Sequence, residues 1–225
     1  MRVWMIAFGL WSCLLLPLPA VAQEILASAG RIERAESDGT CSAALIAADL
    51  VVTAAHCVNP ERDIEAEVPR LFYRPALPAF SPPIAIVGGA RHPLYTPGRD
   101  DLRWKFPFDL AVLRLERALP VATNPALALG DAPRTGESLT IVTWIRSREG
   151  PVVRPCPVLP GPVSLVTLGC PVRGGESGGA VLRKNKDGAE LVAILNSRTR
   201  IGDLEIAQAS HLDGRLAPML RLLED

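Results

Sequence analysis

Hydrophobic residues in this chain are grouped in short runs that are bounded by Gly, Pro, Asn or Asp. These runs are rich in aliphatic and β-branched residues and cover 42–58, 83–90, 109–115, 139–145, 180–184 and 191–197. Runs of this length, closed at each end by turn-forming residues, predict β-strands. Because many short strands are separated by 21 prolines, the pattern favours an all-β barrel or sandwich over a helical or doubly wound fold.

The last part of the chain follows a helical period instead. Five apolar residues recur there at helical spacing and predict a C-terminal helix over about 211–224: Leu212, Leu216, Met219, Leu220 and Leu223. Pro218 interrupts this pattern, because proline lacks the amide proton that a helix interior needs. We interpret the proline- and charge-rich stretch 59–83 as a long surface excursion.

Residues 1–22 resemble an export signal rather than part of the fold. A positive start is followed by a long apolar run, and Ala20-Val21-Ala22 offers the small residues of a cleavage site. Cleavage there would leave a mature chain that begins at Gln23, with no stable membrane insertion. An uncleaved anchor helix is the alternative. Either way we expect residues 23–225 to be exported, to the periplasm or outside the cell.

The charge balance limits the classes of partner. The chain has 225 residues, enough for a sizeable core, and basic and acidic residues number 24 each. Without a net positive charge, there is no overall field to attract a phosphate backbone or an acidic lipid surface. We therefore do not expect nucleic acid as a partner.

Cysteine usage fits an oxidising compartment. Cys13 lies in the export signal, and an even set remains: Cys41, Cys57, Cys156 and Cys170. Two disulfides are expected, and three pairings are possible. The two local pairings close loops for which a bridge contributes on the order of 3 kcal/mol. A metal site is the rival interpretation, but the three histidines are scattered and no Cys-x-x-Cys pair occurs.

One serine lies in an unusual setting that suggests catalysis. Ser177 sits inside "GGESGG", where glycines leave a hydroxyl accessible and let backbone amides converge on one point. A serine nucleophile needs a base, and the base needs a group that fixes its tautomer. His56, at the end of an apolar run, and Asp109, at the start of another, can supply both. Gly175 and Ser177 would donate the amides that stabilise an oxyanion.

Each of these residues also has a structural interpretation when it is taken alone. His56 could be a structural histidine beside a strand, and Asp109 could cap a turn. "GGESGG" could be a glycine-rich hairpin with an exposed serine. Taken one at a time, these residues do not decide between a catalytic and a structural role.

Several motifs together resemble the trypsin-like, chymotrypsin-fold serine peptidases of the bacterial secreted type. "TAAHC" at Thr53–Cys57 is similar to the histidine motif of that family, and "HPLY" at His92–Tyr95, followed by "FDLAVLRL", to its aspartate segment. "IVTWI" at Ile141–Ile145 is similar to a strand that opens the second barrel, and "GGESGG" to the serine signature. The order His, Asp, Ser is also that of the family.

The resemblance implies a fold and a mechanism. The fold would be all-β, with two six-stranded antiparallel barrels at about 23–120 and 121–210, a cleft between them and a C-terminal helix. His56 would be the general base, Asp109 its orienting group and Ser177 the nucleophile of acyl transfer through an acyl-enzyme. The amides of Gly175 and Ser177 would form the oxyanion hole. No metal or organic cofactor is implied, and the substrate would be a protein or peptide.

The resemblance also implies the pairing of the cysteines. Cys41 looks like the disulfide partner of Cys57 beside the histidine motif. Cys156 with Cys170 looks like a second loop bridge of the family, with a shortened connection.

Two departures from the family pattern concern activation. Glu176 replaces the aspartate that usually precedes the serine, and no Ile-Val-Gly-Gly start is visible. In members of the family that are activated by cleavage, that aspartate pairs with a new amino terminus. Our hypothesis is that this chain needs no cut beyond signal removal and that Glu176 finds a local partner.

Other departures concern specificity. Pro171 stands where trypsin carries the aspartate that binds basic side chains, so a basic preference is disfavoured. Asn196, Ser197 and Arg198 replace the usual Ser-Trp-Gly along the pocket. Arg198 or Arg200 could attract an acidic substrate side chain or could be solvated on a turn, and small aliphatic substrates remain open.

Two other functions are compatible with the sequence. A catalytically silent binding module of the same fold is compatible with the departures at Pro171, at Glu176 and in activation, although all three triad residue types are present. An esterase could use the same triad. The sequence leaves the oligomeric state and the natural substrate open.

Overall fold

The computed structural model describes residues 20–35, 37–59, 61–78, 81–97, 106–147, 150–186 and 188–224. Most of the predicted export signal, including Cys13, lies outside these ranges. No helix within them is long and apolar enough to cross a bilayer. A short helix, α1 (Ala20–Ala27), leads into the fold and buries Ile25 in the core.

Six antiparallel strands close the first barrel. They are β1 (Ala29–Arg34), β2 (Ser37–Ala47), β3 (Leu50–Thr53), β4 (Leu71–Pro75), β5 (Ile84–Arg91) and β6 (Ala111–Leu115). Around the barrel the order is β1-β2-β3-β6-β5-β4, and β4 pairs with β1 to complete the ring. The barrel is filled by alternate residues of its strands, because successive side chains of a strand point to opposite faces.

The prediction that 59–83 is only a surface excursion is wrong. This segment contains the helix α2 (Ile64–Glu67), a 3₁₀ turn at Val68–Arg70 and strand β4. Leu71 and Tyr73 of β4 are fully buried in the first barrel, while Phe72 and Arg74 between them are only partly buried. This alternation over only five residues is too short to stand out among the flanking prolines and charges.

The second barrel is built by the strands that follow β7 (Ala128–Leu129). They are β8 (Ser138–Thr143), β9 (Val152–Leu159), β10 (Val166–Leu168), β11 (Ala180–Asn185), β12 (Gly188–Ile201) and β13 (Leu204–His211). The ring runs β8-β9-β10-β13-β12-β11, and β11 pairs again with β8. β7 lies outside the ring and pairs in parallel with β12. The prediction of an all-β fold with two six-stranded antiparallel barrels is therefore confirmed.

The chain ends in a short helix, α3 (Ala217–Leu222), as the apolar spacing predicted. Its extent is smaller than the spacing suggested, because Pro218 lies in the first turn and begins the helix instead of interrupting it. The first amides of a helix have no intrahelical partner, so proline is tolerated there. Met219 is fully buried and packs with Leu212 and Leu216.

The barrels contact each other at Ser42, a fully buried residue of β2. Its hydroxyl donates to the carbonyl of Gly175 (3.0 Å) and accepts the amide of Trp144 (2.8 Å). Its own amide donates to the carbonyl of Ser177 (2.7 Å). One side chain of the first barrel thus satisfies two buried backbone groups of the second, and the serine segment is held at the junction.

Glycine is required where this segment comes nearest to Ser42. Gly178 has φ +80°, and a Cβ there would lie 2.0 Å from the carbonyl oxygen of Ser42. Both the backbone conformation and the close contact exclude a side chain.

We predict that Ser42→Ala lowers the free energy of unfolding by about 1–3 kcal/mol, because it leaves the buried Trp144 amide and Gly175 carbonyl without a partner. Urea denaturation measures the change. The control is Ser138→Ala at the exposed start of β8, which should shift stability by less than about 0.5 kcal/mol. Equal unfolding midpoints for the two variants would contradict the role of Ser42.

Candidate active site

The histidine of the predicted triad is held by a turn and a disulfide. Strand β3 ends at Thr53, and His56 lies in the 3₁₀ turn Ala55–Cys57 that follows it. Cys57 is bonded to Cys41 of β2, so both ends of this turn are fixed to the first barrel. The His56 side chain is about one-third exposed (34%), which leaves one edge of the ring open to solvent.

Asp109 contacts His56 at two points. Its carboxylate accepts the ring Nδ1 at 2.7 Å and the His56 backbone amide at 2.9 Å. The Asp109 side chain is only 2% exposed, and these two bonds offset part of the cost of burying its charge. A carboxylate facing Nδ1 favours the tautomer with the proton on Nδ1, so Nε2 is left as the acceptor. The Asp109 carboxylate thus contacts both the ring and the backbone of His56.

The other two histidines are separate from this pair. His92 is buried and stacks on Phe108, with 4.7 Å between the ring centroids, and its Nδ1 accepts the Leu94 amide. Burial and the nearby charge of Arg215 lower the pKa of His92, and the same two causes lower the pKa of His211. Both rings thus favour the neutral form.

Tyr95 of the "HPLY" motif is near enough to Asp109 for the carboxylate charge to act on its phenol. Burial, and then the negative charge of Asp109, raise the pKa of Tyr95, so its phenol stays protonated. Its side chain is 7% exposed and packs in the first barrel.

The serine loop has two backbone amides that are free. Glu176, Gly178 and Gly179 each donate their amide to a backbone carbonyl. Within the described part of the chain, the amides of Gly175 and Ser177 donate to no acceptor. Gly175 has φ +100°, and a Cβ there would lie 2.7 Å from the Arg146 nitrogen, so this conformation requires glycine. Two free amides that are separated by one residue are the donors that an oxyanion would need.

Glu176 is buried beside the serine and has partners within the second barrel. One carboxylate oxygen contacts Arg154 of β9 (2.8 Å) and accepts the Thr143 hydroxyl of β8 (2.5 Å). The other accepts the backbone amide of Arg173 (2.5 Å). The sequence predicted a local partner for Glu176, and these contacts identify it as Arg154 together with Thr143.

Sequence reasoning did not find Ser42, Thr143 or Arg154, because their contacts join segments that are distant along the chain. The sequence indicates only that an acidic residue within a glycine loop needs a partner, and it does not identify Arg154, which lies two residues before Cys156. That cysteine is bonded to Cys170, which ties β9 to the segment leading to the serine.

Ser177 is partly buried and lines two adjoining pockets. The first, of about 290 Å³, also contains His56, Gly175, Arg146 and the Cys41–Cys57 disulfide. His56 and Ser177 therefore face the same cleft, at the junction of the two barrels.

The second pocket, of about 230 Å³, lies beside Ser177. Its lining is Val172, Arg173, Gly174, Ser177, Leu195, Asn196, Ser197 and Arg198. Asn196 is buried, and its amide donates to the Phe106 carbonyl and the Ser210 hydroxyl. Pro171 is exposed and lies outside this lining, where its carbonyl accepts a hydrogen bond from Arg154. Val172, the next residue, contributes to the pocket wall instead.

Three potential metal ligands also come together near the cleft. Ligand atoms of Cys41, His56 and Cys57 lie within 4.8 Å of one another. Metal binding by cysteine requires thiolates, and both sulfurs are joined in a disulfide. His56 Nδ1 is directed to Asp109, so the three residues as they stand here do not offer a set of metal ligands.

The comparison with known families agrees with this geometry. The family described as "Trypsin-like peptidase domain" matches residues 41–194, an interval that contains His56, Asp109 and Ser177. No curated protein matches the chain significantly. Because the matched residues form more than half of a chain with the two-barrel fold, this protein belongs to the trypsin-like peptidase domain family.

Proposed function

We propose that this protein is a serine endopeptidase that uses His56, Asp109 and Ser177 as a catalytic triad. The observation that carries the proposal is the two-point contact of the buried Asp109 carboxylate with His56, in a cleft that Ser177 also lines. The pair explains why a carboxylate is buried there. It leaves the Nε2 edge of the ring as a base for a neighbouring hydroxyl.

The proposed reaction is acyl transfer from a peptide bond. His56 Nε2 accepts the hydroxyl proton as Ser177 Oγ attacks the carbonyl carbon, and the oxyanion is bound by the Gly175 and Ser177 amides. His56 then protonates the leaving amine, which gives an acyl-enzyme. A water molecule, deprotonated by His56, hydrolyses the ester and restores Ser177. Asp109 stays ionised throughout and stabilises the imidazolium.

We also infer that the site is assembled without an activating cut. In this chain the carboxylate next to the serine already has a cation, because Arg154 lies within the second barrel. Residues 1–22 would be removed on export, and the two disulfides are compatible with an oxidising compartment.

We predict that a fluorophosphonate labels Ser177 alone, because only an activated serine attacks it. Ser177→Ala should abolish labelling, and His56→Gln and Asp109→Asn should each slow peptide hydrolysis about a thousandfold or more. The double variant with both His56→Gln and Asp109→Asn should lose little more activity than either single variant, since the triad acts as a unit. His211→Gln, outside the cleft, is the matched control and should keep its activity.

The result of this labelling also separates the alternatives. Absence of an adduct on correctly folded protein would favour a binding module. An adduct accompanied by turnover of esters but not of peptides would favour an esterase. Small, additive losses for the triad variants would contradict the mechanism.

We predict that active protein begins at Gln23. N-terminal sequencing of exported, labelled protein checks this directly. If labelling appears only after a second cut near Arg31 or Arg34, the inference that the chain needs no activation is wrong.

We predict that Glu176→Gln lowers the rate of Ser177 labelling and the free energy of unfolding together, the latter by about 2–3 kcal/mol. The reason is that it leaves the Arg154 guanidinium, largely shielded from solvent, without its counter-charge. The control is Glu137→Gln, which breaks a more exposed pair with Arg183 and should cost less than about 1 kcal/mol. Full labelling of the Glu176 variant would show that the carboxylate does not position the loop.

A further inference from the structure

Three arginines line the pockets beside Ser177, and none of them has a carboxylate partner among the described residues. Arg146 lines the larger pocket, and Arg173 and Arg198 line the smaller one. All three side chains are exposed, and none forms an ion pair with another described residue. Other arginines of the chain do contact carboxylates: Arg31, Arg34, Arg74, Arg114, Arg154, Arg183 and Arg200.

The cleft offers these guanidiniums no partner of its own. Among the described residues, the smaller pocket is lined by no carboxylate. In the larger pocket, the carboxylate of Glu33 is already paired with Arg31 and Arg74. The chain as a whole is neutral, with 24 basic and 24 acidic residues, so the excess of positive charge is local to the cleft.

The backbone that carries the three arginines is fixed relative to the serine. The Arg173 amide donates to the buried Glu176 carboxylate, and the Arg146 amide donates to the Gly174 carbonyl. Arg198 lies in β12, paired in register with Ala207 of β13. A peptide that lies across Ser177 would therefore meet a guanidinium in each adjoining pocket.

Guanidinium groups bind carboxylates through two parallel hydrogen bonds, and a cluster of them repels a lysine or arginine side chain. Val172 and Leu195 supply buried apolar surface in the same pocket, which suits the methylene part of a short acidic side chain. We propose that this cleft selects peptides with aspartate or glutamate next to the scissile bond, and that Arg198 is the main specificity-determining residue. The proposal rests on the proposed peptidase function.

The test uses fluorogenic peptides in matched pairs that differ only by Glu or Gln at one position flanking the scissile bond. We expect the wild-type kcat/KM to be about tenfold or more higher for the Glu peptide, with the advantage reduced at high salt. Arg198→Gln should remove most of that advantage. Arg198→Glu should reverse it in favour of a Lys peptide. Arg117→Gln removes the same charge at an exposed position outside the pockets and should keep the preference.

The outcomes distinguish this inference from the proposed function. If Ser177 is labelled by the fluorophosphonate but Glu and Gln peptides are cleaved equally, the acidic preference is wrong while the peptidase function stands. If no labelling occurs, the proposed function fails, and binding of the same peptides to Ser177→Ala protein, measured by calorimetry, still decides the preference. Tighter binding of the Glu peptide supports it, and equal binding overturns it.

Discussion

The active-site geometry depends on how the loop from Arg173 to Gly179 is held between two barrels. Buried polar groups fix it from both sides: Ser42 of the first barrel binds the Gly175 and Ser177 carbonyls, and Glu176 is bound by Arg154 and Thr143 of the second. A buried polar group without a partner costs free energy, so each contact disfavours other conformations of the loop. The loop consequently presents the Ser177 hydroxyl and two free amides in one arrangement.

Two buried carboxylates have complementary parts in this arrangement. Asp109 holds His56, the proposed base, from the first barrel, and Glu176 holds the loop of Ser177, the proposed nucleophile, from the second. A buried ion pair is weak evidence for stability, because desolvation offsets much of the attraction. Its effect here is on conformation: the two charges hold the His56 ring and the Ser177 loop in place. In the proposed mechanism, neither carboxylate contacts the substrate.

Strands and motifs that show a local pattern of residues could be predicted from the sequence. The strands β3, β6 and β8, which are mostly buried, and the buried start of β11 appear as short apolar runs, and the proposed triad residues stand in short motifs. The predicted runs do not include β1, β4, β7, β9, β10 or β13. Two of these have a clear cause: β4 is surrounded by prolines and charges, and β9 contains Pro155 and Pro157, which are both exposed. A sequence alone gives no sign of which outward-facing prolines a barrel strand tolerates.

The contacts that support the site could not be predicted from local sequence pattern, because they join residues that are far apart in the chain. Ser42 and Gly175 are 133 residues apart, and Thr143 and Glu176 are 33 apart. Small polar residues such as these occur in every strand and turn, and only the closed barrels decide which of them meet. That Glu176 needs a local partner could be predicted from its position beside Ser177, whereas the identity of Arg154 could not.

We propose that the Ser177 loop and His56 are assembled for acyl transfer before substrate arrives. A crystal structure of the phosphonylated protein tests this, because the adduct imitates a tetrahedral intermediate. We expect a phosphoryl oxygen about 2.7–3.1 Å from both the Gly175 and Ser177 amides, with the His56–Asp109 contact retained. A phosphoryl oxygen directed to solvent, or a Gly175 amide rotated away from it, would show that the site is not assembled in advance.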